Sequence, residues 1–237
     1  MSHSNIKGRD GAAVAGVVLA AGTGRRMGRP KALIPLDGQP LVIRAVDALR
    51  AGGCRPLAVV VGAGAGSVRP LVPPDAQVID NPGWEGGMGS SVLAALAWAH
   101  AGTGAGEPPP AALLVLPVDT PGIGPAVVRQ MLDRWDGGGR DPSVALVATY
   151  GGRRRNPVLL PAGTWSDVAA RVHGDSGARP WLQDNPDRVI NVDCTSLGDP
   201  TDLDTPDDLD RWVRRAAGPE PADPPQTAAT PGEQHGT

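Results

Sequence analysis

A glycine-rich stretch with closely spaced cations is the first candidate for chemistry in this chain. It runs from Leu19 to Lys31 and reads LAAGTGRRMGRPK. Glycines let backbone N–H groups approach and surround an anion, and the side chains of Arg26 and Lys31 can then neutralise phosphate oxygens. The stretch therefore predicts a phosphate-binding loop that includes Gly22 and Gly24.

Two common phosphate-binding motifs do not fit this loop. A P-loop needs GxxxxGK followed by Ser or Thr, whereas Lys31 follows a proline and precedes an alanine. The dinucleotide fingerprint GxGxxG is missed by one position, because the glycines are spaced GxGxxxG. Pro30 also argues against a helix directly behind the glycines, so we expect a long, extended loop that wraps its ligand.

Lys31 also stands out by composition. The chain has 20 arginines but two lysines, and the other lysine is Lys7. An ammonium is a compact point charge, whereas a guanidinium is a planar fork. This bias favours a site that needs a point charge at position 31, although a chance surface lysine fits the composition as well.

Asp119 is the best candidate for a metal ligand. It lies just past an apolar run in LLVLPVDTP, and Mg²⁺ in proteins usually takes one or two carboxylates plus substrate phosphates. Near the end of the chain, DPTDLDTPDD offers Asp202 or Asp204 as a second carboxylate. Asp204 and Thr205 would serve equally well to start a helix there, so both interpretations stay open.

The stretch DNPGWEGGMGSS, from Asp80 to Ser91, follows another predicted strand and opens a helix. Ser90 and Ser91 would lie at the helix N-terminus, where N–H groups suit an anion or a base carbonyl. An ordinary helix cap after a tight turn explains the same pattern.

Composition and charge exclude several classes of protein. With 22 basic and 25 acidic side chains the net charge is −3, so no basic excess exists for nucleic acid. No apolar run reaches the ~18 residues that a membrane span needs. The four histidines form no Ser-His-Asp or Cys-His set. Cys54 and Cys194 form neither a CxxC pair nor a disulfide framework, which predicts the reducing cytoplasm.

The rest of the chain alternates apolar, strand-like runs with helical patterns. The predicted strands are Val14–Ala20, Leu57–Val61, Ala76–Ile79 and Ala112–Pro117, and the predicted helices are Leu41–Ala51, Gly89–Ala101, Gly122–Trp135 and Thr205–Arg215. A hairpin is predicted from Val144–Tyr150 and Asn156–Leu160, which flank Gly151–Arg155. This order predicts a three-layer α/β/α domain with a mostly parallel, Rossmann-like sheet and an antiparallel hairpin in its second half.

One folded domain is expected at residues 12–216. Residues 1–11 are polar, and residues 217–237 are rich in proline with almost no large apolar side chain, so both ends are predicted to be disordered. The apolar run at residues 12–21 follows Lys7 and Arg9, as in a secretory signal. It continues into GTGRR without a cleavage site, so a buried strand is favoured.

The glycine-rich loop resembles the LAAGxSxRMGxxK pattern of the molybdenum cofactor cytidylyltransferases, within the wider MobA-like nucleotidyltransferase group. Arg26 and Lys31 fall on the Arg and Lys of that pattern, while Gly24 stands in place of the usual Ser. The stretch ending at Ser91 is similar to NxxWxxGMxxSL, Asp119 lies in a PvDxP match, and the segment around Asp204 looks like DIDTPeD. The resemblance covers residues 14–212.

The resemblance implies a nucleotide-diphospho-sugar transferase type of fold and transfer of CMP from CTP to a phosphate-bearing acceptor, with release of pyrophosphate. It implies that Arg26 and Lys31 hold the triphosphate and that Asp119 and Asp204 bind Mg²⁺. The other nucleotide contacts that it implies are Leu19, Ala20, Ala21, Gly22, Asp80 and Ser91. CTP is implied because members that use it read LAAG, whereas members that use GTP read LAGG. The implied partners are CTP, a phosphorylated pterin acceptor, and a molybdoenzyme or its chaperone.

Two stretches bear on the acceptor. Gly174–Arg179 reads GDSGAR and looks like the family's GDxGAR, which is thought to face the acceptor. The stretch YGGRRRNP corresponds to YxGxRGHPV, but Arg155 and Asn156 replace the Gly and the His. This departure leaves open a different phosphorylated acceptor, and the three arginines fit either a phosphate site or a solvated turn.

Two other functions stay open at this level. An NAD(P)H-dependent oxidoreductase of the nicotine-blue reductase type would use the loop to hold the pyrophosphate of its cofactor, although the GxGxxxG spacing and Asp119 argue against it. A non-catalytic chaperone of the molybdenum cofactor would need an acceptor pocket but no metal carboxylate, so Lys31 together with Asp119 favours an enzyme.

Overall fold

The computed structural model describes residues 13–102 and 108–217 of the 237-residue chain. The lead predicted at residues 1–11 lies outside the described residues, as does the predicted tail from residue 218 onward. Among residues 13–102 and 108–217, no helix combines the length and apolarity needed to cross a lipid bilayer.

A seven-stranded sheet forms the centre of the structure, with a separate two-stranded hairpin beside it. The strands are β1 (Val14–Ala20), β2 (Pro35–Leu36), β3 (Gln39–Pro40), β4 (Leu57–Val61), β5 (Ala76–Asp80), β6 (Ala112–Pro117), β7 (Ala145–Tyr150), β8 (Arg153–Pro161) and β9 (Val189–Asp193). The order in the large sheet is β5-β4-β1-β6-β8-β7-β9, and β2 pairs with β3. Within the large sheet β8 alone runs against its neighbours. The predicted mostly parallel sheet with an antiparallel hairpin is confirmed.

Helices cover both faces of this sheet. They are α1 (Leu41–Gly52), α2 (Ala65–Val68), α3 (Met88–Ala101), α4 (Pro125–Gly137), α5 (Trp165–Ala169), α6 (Arg179–Asp184) and α7 (Pro206–Ala217). The buried side chains of α1 and α4 pack on one face, and those of α3, α5 and α6 pack on the other. The molecule therefore has the three-layer α/β/α architecture that the alternation of elements predicts.

The central strands are apolar at nearly every position because both of their faces are buried. β4 and β6 are buried along their whole length, and β1 is buried from its second residue onward. Side chains alternate across the sheet, so Val18 and Ala20 enter the core beneath α1, whereas Val17 and Leu19 enter the core beneath α3. This alternation decides which residues at the end of β1 can reach a ligand.

The second half of the chain differs from the prediction in its details. β7 and β8 are joined at Gly151 and Gly152, which have φ values of +54° and +76°. The predicted turn at 151–155 is thus wrong in length, because the three arginines already belong to β8. The edge strand β9, the short helices α5 and α6, and the β2–β3 hairpin were not predicted.

Candidate functional site

Two neighbouring cavities, of about 720 and 740 Å³, open at the carboxyl ends of the parallel strands. Ligands of open α/β sheets bind at this edge. The glycine-rich loop and the segment between β5 and α3 line the first cavity, and β8 and the 175–179 segment line the second. The residues common to both are Leu19, Met88, Pro117, Asp119, Asp175 and Asp204.

The glycine-rich loop folds as two single 3₁₀ turns. Arg25–Met27 forms the first turn and Lys31–Leu33 the second, with Pro30 between them. Gly24 has a φ of +61°, and a Cβ there would lie 2.0 Å from the carbonyl oxygen of Arg29. A side chain at this position is incompatible with the observed loop, which gives the Gly in place of the usual Ser a structural reason. No α-helix follows directly, as expected, but the loop is turned rather than extended.

Lys31, Asp119 and Asp204 meet where the two cavities join. The Lys31 Nζ donates to Asp119 Oδ2 at 2.8 Å and to Asp204 Oδ1 at 2.5 Å. A guanidinium nitrogen of Arg26 lies 3.2 Å from the other carboxylate oxygen of Asp204. The Lys31 and Asp119 side chains are 17% and 20% exposed, whereas that of Arg26 is 70% exposed. The ammonium is therefore shielded from water, while the guanidinium is accessible to a ligand.

A backbone contact brings Asp204 to Asp119. The N–H of Leu203 donates to the carbonyl oxygen of Asp119 at 2.9 Å, and the Leu203 side chain is fully buried in the core. Asp202 and Asp204 flank this anchored leucine, and both line the second cavity. Burial of Leu203 thus places the side chains of Asp202 and Asp204 at the second cavity.

Thr205 begins α7 through a reciprocal cap. The Asp208 carboxylate accepts from the Thr205 N–H at 2.8 Å, and the Thr205 hydroxyl accepts from the Asp208 N–H at 3.3 Å. Thr205 therefore starts the helix while Asp204 takes part in the charged cluster, and the role of Asp204 as a metal ligand stays a prediction.

The charges of the cluster are strongly coupled. Burial alone would lower the pKa of Lys31, but the charges of Asp119 and Asp204 and their hydrogen bonds raise it. The hydrogen bond from Lys31 lowers the pKa of Asp204, with the charges of Lys31 and Arg26 acting in the same direction. Burial and the negative charges of Asp119 and Asp204 raise the pKa of Asp202 to about 6. The Lys31–Asp204 pair is thus fully charged near neutral pH, while Asp202 titrates close to it.

The donor set at the junction suits a hard divalent cation. Asp119 and Asp204 each point one oxygen at the same Lys31 ammonium, so their carboxylates converge on one place. Within the part of the chain that the structure describes, no group of three or more His, Cys, Asp or Glu side chains is arranged to hold a metal ion. A cation held by these two carboxylates would need further oxygens, and substrate phosphates complete the shell of Mg²⁺ in such sites.

The first N–H groups of α3 are occupied by the protein itself. The N–H of Met88 donates to Asp175 Oδ1 at 3.1 Å, and the N–H of Gly89 donates to the carbonyl oxygen of Gly174 at 2.7 Å. These two N–H groups are therefore not free for a ligand in this conformation, while the ligand contact predicted for Ser90 and Ser91 stays a prediction. The contacts instead fasten the predicted acceptor segment to the wall of the first cavity.

Asn81 holds the two serines at the start of α3. Its side chain is 5% exposed, and its Nδ2 donates to Ser90 Oγ at 2.8 Å and to Ser91 Oγ at 3.1 Å. Ser91 lines the first cavity, so Asn81 is a positioning residue that the sequence analysis missed. The signal that could have found it is the Asn-Pro-Gly turn, in which Asn81 accepts the N–H of Gly83 at 3.1 Å.

Asp80 and Ala20 lie away from the two cavities. Asp80 ends β5, and its 65% exposed side chain pairs with Arg69 at 2.5 Å. Ala20 is 1% exposed and belongs to the core beneath α1, whereas Leu19 and Ala21, on the other face of β1, line the first cavity. Neither residue lines a cavity in this structure, and the nucleotide contacts that the resemblance implied for them stay predictions.

The order of the elements and the loop match one known family over most of the chain. Residues 16–189 match the family described as the MobA-like NTP transferase domain. This chain belongs to the MobA-like NTP transferase family. The matched region includes the glycine-rich loop, Asp119 and the predicted acceptor segments, and it ends before Asp202 and Asp204.

Individual relatives of this MobA-like transferase carry different activities in their names. The nicotine blue oxidoreductase of Paenarthrobacter nicotinovorans is 37% identical over 210 residues, which cover 84% of this chain and 96% of that protein. The molybdenum cofactor guanylyltransferase of Rhodobacter capsulatus is 40% identical over 115 residues, which cover 46% of this chain and 52% of that protein. Family membership alone therefore does not choose the substrates.

Solved structures support the same fold. Rv0371c from Mycobacterium tuberculosis H37Rv superposes with a TM-score of 0.67 at 26% identity, and the match covers 86% of this chain and 98% of that one. A complex of Rv0371c with manganese is similar, with a TM-score of 0.62 over 85% of this chain and 98% of that one, at 26% identity.

Gly87 lines the first cavity of this MobA-like transferase and leaves room for Asp175 and Gly174 to approach. It has a φ of +85°, and a Cβ there would lie 2.4 Å from Asp175 Oδ1. We expect Gly87→Ala to lower the free energy of unfolding by about 2 kcal/mol. The substitution adds backbone strain at this positive φ, and the new Cβ displaces Asp175, which accepts the Met88 N–H at the start of α3. Urea unfolding measures this loss.

Gly83→Ala, in the same loop, is the matched control. Gly83 has a φ of −88°, and the nearest atom to a Cβ there lies at 3.6 Å, so the free energy of unfolding should change by less than about 0.5 kcal/mol. Equal stability of the two variants would contradict the close fit at Gly87.

Proposed function

We propose that this chain transfers CMP from CTP to a phosphate-bearing acceptor of the molybdopterin type and releases pyrophosphate. The observation that carries the proposal is the Lys31–Asp119–Asp204 cluster at the junction of two cavities. A transferase needs one place for the nucleotide and one for the acceptor, with the reacting phosphorus between them. In this proposal the first cavity holds the triphosphate, because the glycine-rich loop lines it, and the second cavity holds the acceptor.

The reaction needs alignment and charge neutralisation more than proton transfer. An acceptor phosphate oxygen attacks the α-phosphorus of CTP, a new P–O bond forms, and the bond from the α-phosphorus to the bridging oxygen breaks to release pyrophosphate. The attacking oxygen is already anionic near neutral pH, so no strong general base is required. Lys31 and Arg26 would neutralise the phosphate oxygens as charge moves onto the leaving group. Asp119 and Asp204 would hold Mg²⁺, which supplies further neutralisation when bound.

Two features support CTP and a pterin acceptor. The loop reads LAAG, and Ala21, where a guanine-using member would have Gly, lines the first cavity. The floor of the second cavity is apolar, with Val115, Val158 and Leu160 among its lining residues, as a flat heterocycle requires. In this proposal the enzyme works in the cytoplasm and passes its product to a molybdoenzyme or to the chaperone of one.

A product assay tests the proposal. The full chain is incubated with each of the four nucleoside triphosphates, Mg²⁺ and a molybdopterin acceptor or another phosphorylated acceptor, and the products are identified by mass. We expect pyrophosphate and a CMP adduct of the acceptor, with CTP at least about tenfold preferred over GTP. Failure to release pyrophosphate with every triphosphate would refute nucleotidyl transfer, and a GMP adduct would refute the assignment of Ala21.

An NAD(P)H-dependent reductase is the second candidate, because the nicotine blue oxidoreductase matches 84% of this chain. The first cavity would then hold the pyrophosphate of the dinucleotide. A thermal shift assay with CTP or NADPH, each with and without Mg²⁺, separates the two functions. Stabilisation by CTP that depends on Mg²⁺ supports the transferase, and stabilisation by NADPH that does not depend on Mg²⁺ supports the reductase.

A further inference from the structure

Three consecutive arginines begin β8, and the structure gives each a different environment. Arg153 is exposed and lines neither cavity. Arg154 is held in place, since its Nε donates to Asn191 Oδ1 at 2.8 Å and its Nη1 donates to the carbonyl oxygen of Leu182 at 3.1 Å. These two hydrogen bonds connect β8 to β9 and to α6, so Arg154 stabilises the wall of the second cavity.

Arg155 is the arginine that is left for a ligand. It lines the second cavity, and its Nη1 donates to the backbone carbonyl of Arg154 at 3.2 Å. Among the described residues, no carboxylate lies within ion-pair distance of it. Arg179, the first residue of α6, also lines this cavity and likewise has no acidic partner there. Two guanidinium groups that form no ion pair therefore line one cavity, and the charge of Arg155 lowers the pKa of the neighbouring Asp202.

The other charges of the cavity explain why such cations are needed. Asp119, Asp175, Asp202 and Asp204 all line it, whereas Lys31 and Arg26 line only the first cavity. An anionic acceptor that enters the second cavity thus meets four carboxyl groups, of which Asp119 and Asp204 are paired with Lys31. These carboxylates repel a negatively charged phosphate, and a nearby cation offsets that repulsion.

We propose that Arg155, with Arg179, binds the phosphate of the acceptor and makes the second cavity selective for phosphate monoesters over uncharged analogues. This inference rests on the proposed function, because it assigns the acceptor to the second cavity. It goes further in naming a specificity-determining residue at a position where the resembling family has Gly. A guanidinium fits this role because it forms two parallel hydrogen bonds to a phosphate.

Binding of a simple probe, without any nucleotide, tests the inference. Isothermal titration of the full chain is made with phenyl phosphate and with the uncharged analogue benzyl alcohol. We expect phenyl phosphate to bind more tightly, and Arg155→Ala and Arg179→Ala each to weaken it about tenfold or more, the scale of a lost charge-assisted hydrogen bond. Arg153→Ala, which removes the same charge from the same strand, should change the affinity less than twofold.

Each possible outcome decides the inference. Unchanged affinity in Arg155→Ala, an equal loss in Arg153→Ala, or no preference for phenyl phosphate over benzyl alcohol in the unmodified protein would overturn it. Because no nucleotide is present, the predicted pattern can appear even if nucleotidyl transfer is absent. If transfer is found, Arg155→Ala should raise KM for the acceptor while leaving KM for CTP unchanged, and a normal acceptor KM would overturn the inference alone.

Discussion

Replacement of Lys31 by alanine is expected to lower turnover with CTP at least about 100-fold, which is the scale of a lost charge-stabilising group. Among the residues that the structure describes, Lys31 is the one cation that contacts both Asp119 and Asp204, at 2.8 and 2.5 Å. Its loss removes the ammonium from the junction of the cavities and leaves two carboxylates facing each other. Pyrophosphate release under saturating CTP and acceptor measures the effect.

Two further variants make this prediction specific. Lys31→Arg keeps the charge, but a planar guanidinium does not replace a point charge held between two carboxylates, so turnover should again fall strongly. Arg69→Ala removes a cation that pairs with Asp80 outside both cavities, and turnover should stay within about twofold of the unmodified protein. Near-normal pyrophosphate release by Lys31→Ala would show that this lysine has no catalytic role.

The second large effect is expected for Asp119→Asn, which should also lower turnover about 100-fold or more. The change removes one of the two carboxylates proposed to hold Mg²⁺ and one partner of Lys31. Turnover should also lose its dependence on the concentration of Mg²⁺ over the range that activates the unmodified protein. Steady-state rates across a magnesium titration measure both effects.

Asp80→Asn is the matched control for Asp119. Both residues lie at the carboxyl ends of parallel strands of the same sheet, but Asp80 pairs with Arg69 and lies outside the two cavities. Its substitution should leave turnover and magnesium dependence unchanged. A large loss in Asp80→Asn would restore the role in nucleotide binding that the resemblance implied for it, and normal turnover of Asp119→Asn would refute the metal assignment.

The central strands could be predicted from the sequence because their environment is simple. β1, β4 and β6 are covered by helices on both faces, so they read as nearly continuous runs of Val, Leu and Ala that admit few interpretations. The same burial places Asp119 predictably just past the end of β6. Local sequence was therefore sufficient for the position of this carboxylate and of the glycine-rich loop.

Elements at the margin of the sheet could not be predicted in the same way. β9 is an edge strand of five residues in which Val192 alone is buried, so it has no continuous apolar run. The β2–β3 hairpin did carry a signal, since Asp37 and Gly38 both have positive φ, as in the Asp-Gly turns of two-residue hairpins. Each of its strands has two residues, which is too short to show an alternation of apolar and polar side chains.

Contacts between distant segments account for the remaining differences. The second carboxylate could not be chosen from sequence, because its position depends on the bond from the Leu203 N–H to the Asp119 carbonyl. The sequence likewise did not show that N–H groups at the start of α3 have protein partners, because the segment that accepts from them is distant in the chain. Gly87 and Gly89 leave room for Gly174 and Asp175 to approach, and sequence alone does not reveal which segment fills that room.

The reversed direction of β8 has a consequence for how substrate preferences can diverge. The proposed nucleotide side of the cleft is built from a loop that leaves β1, whereas the proposed acceptor side is built from residues that enter β8 just after a two-glycine turn. The two sides are thus encoded in separate stretches of the gene. Relatives could acquire new acceptors by altering one short hairpin while their choice of base is preserved.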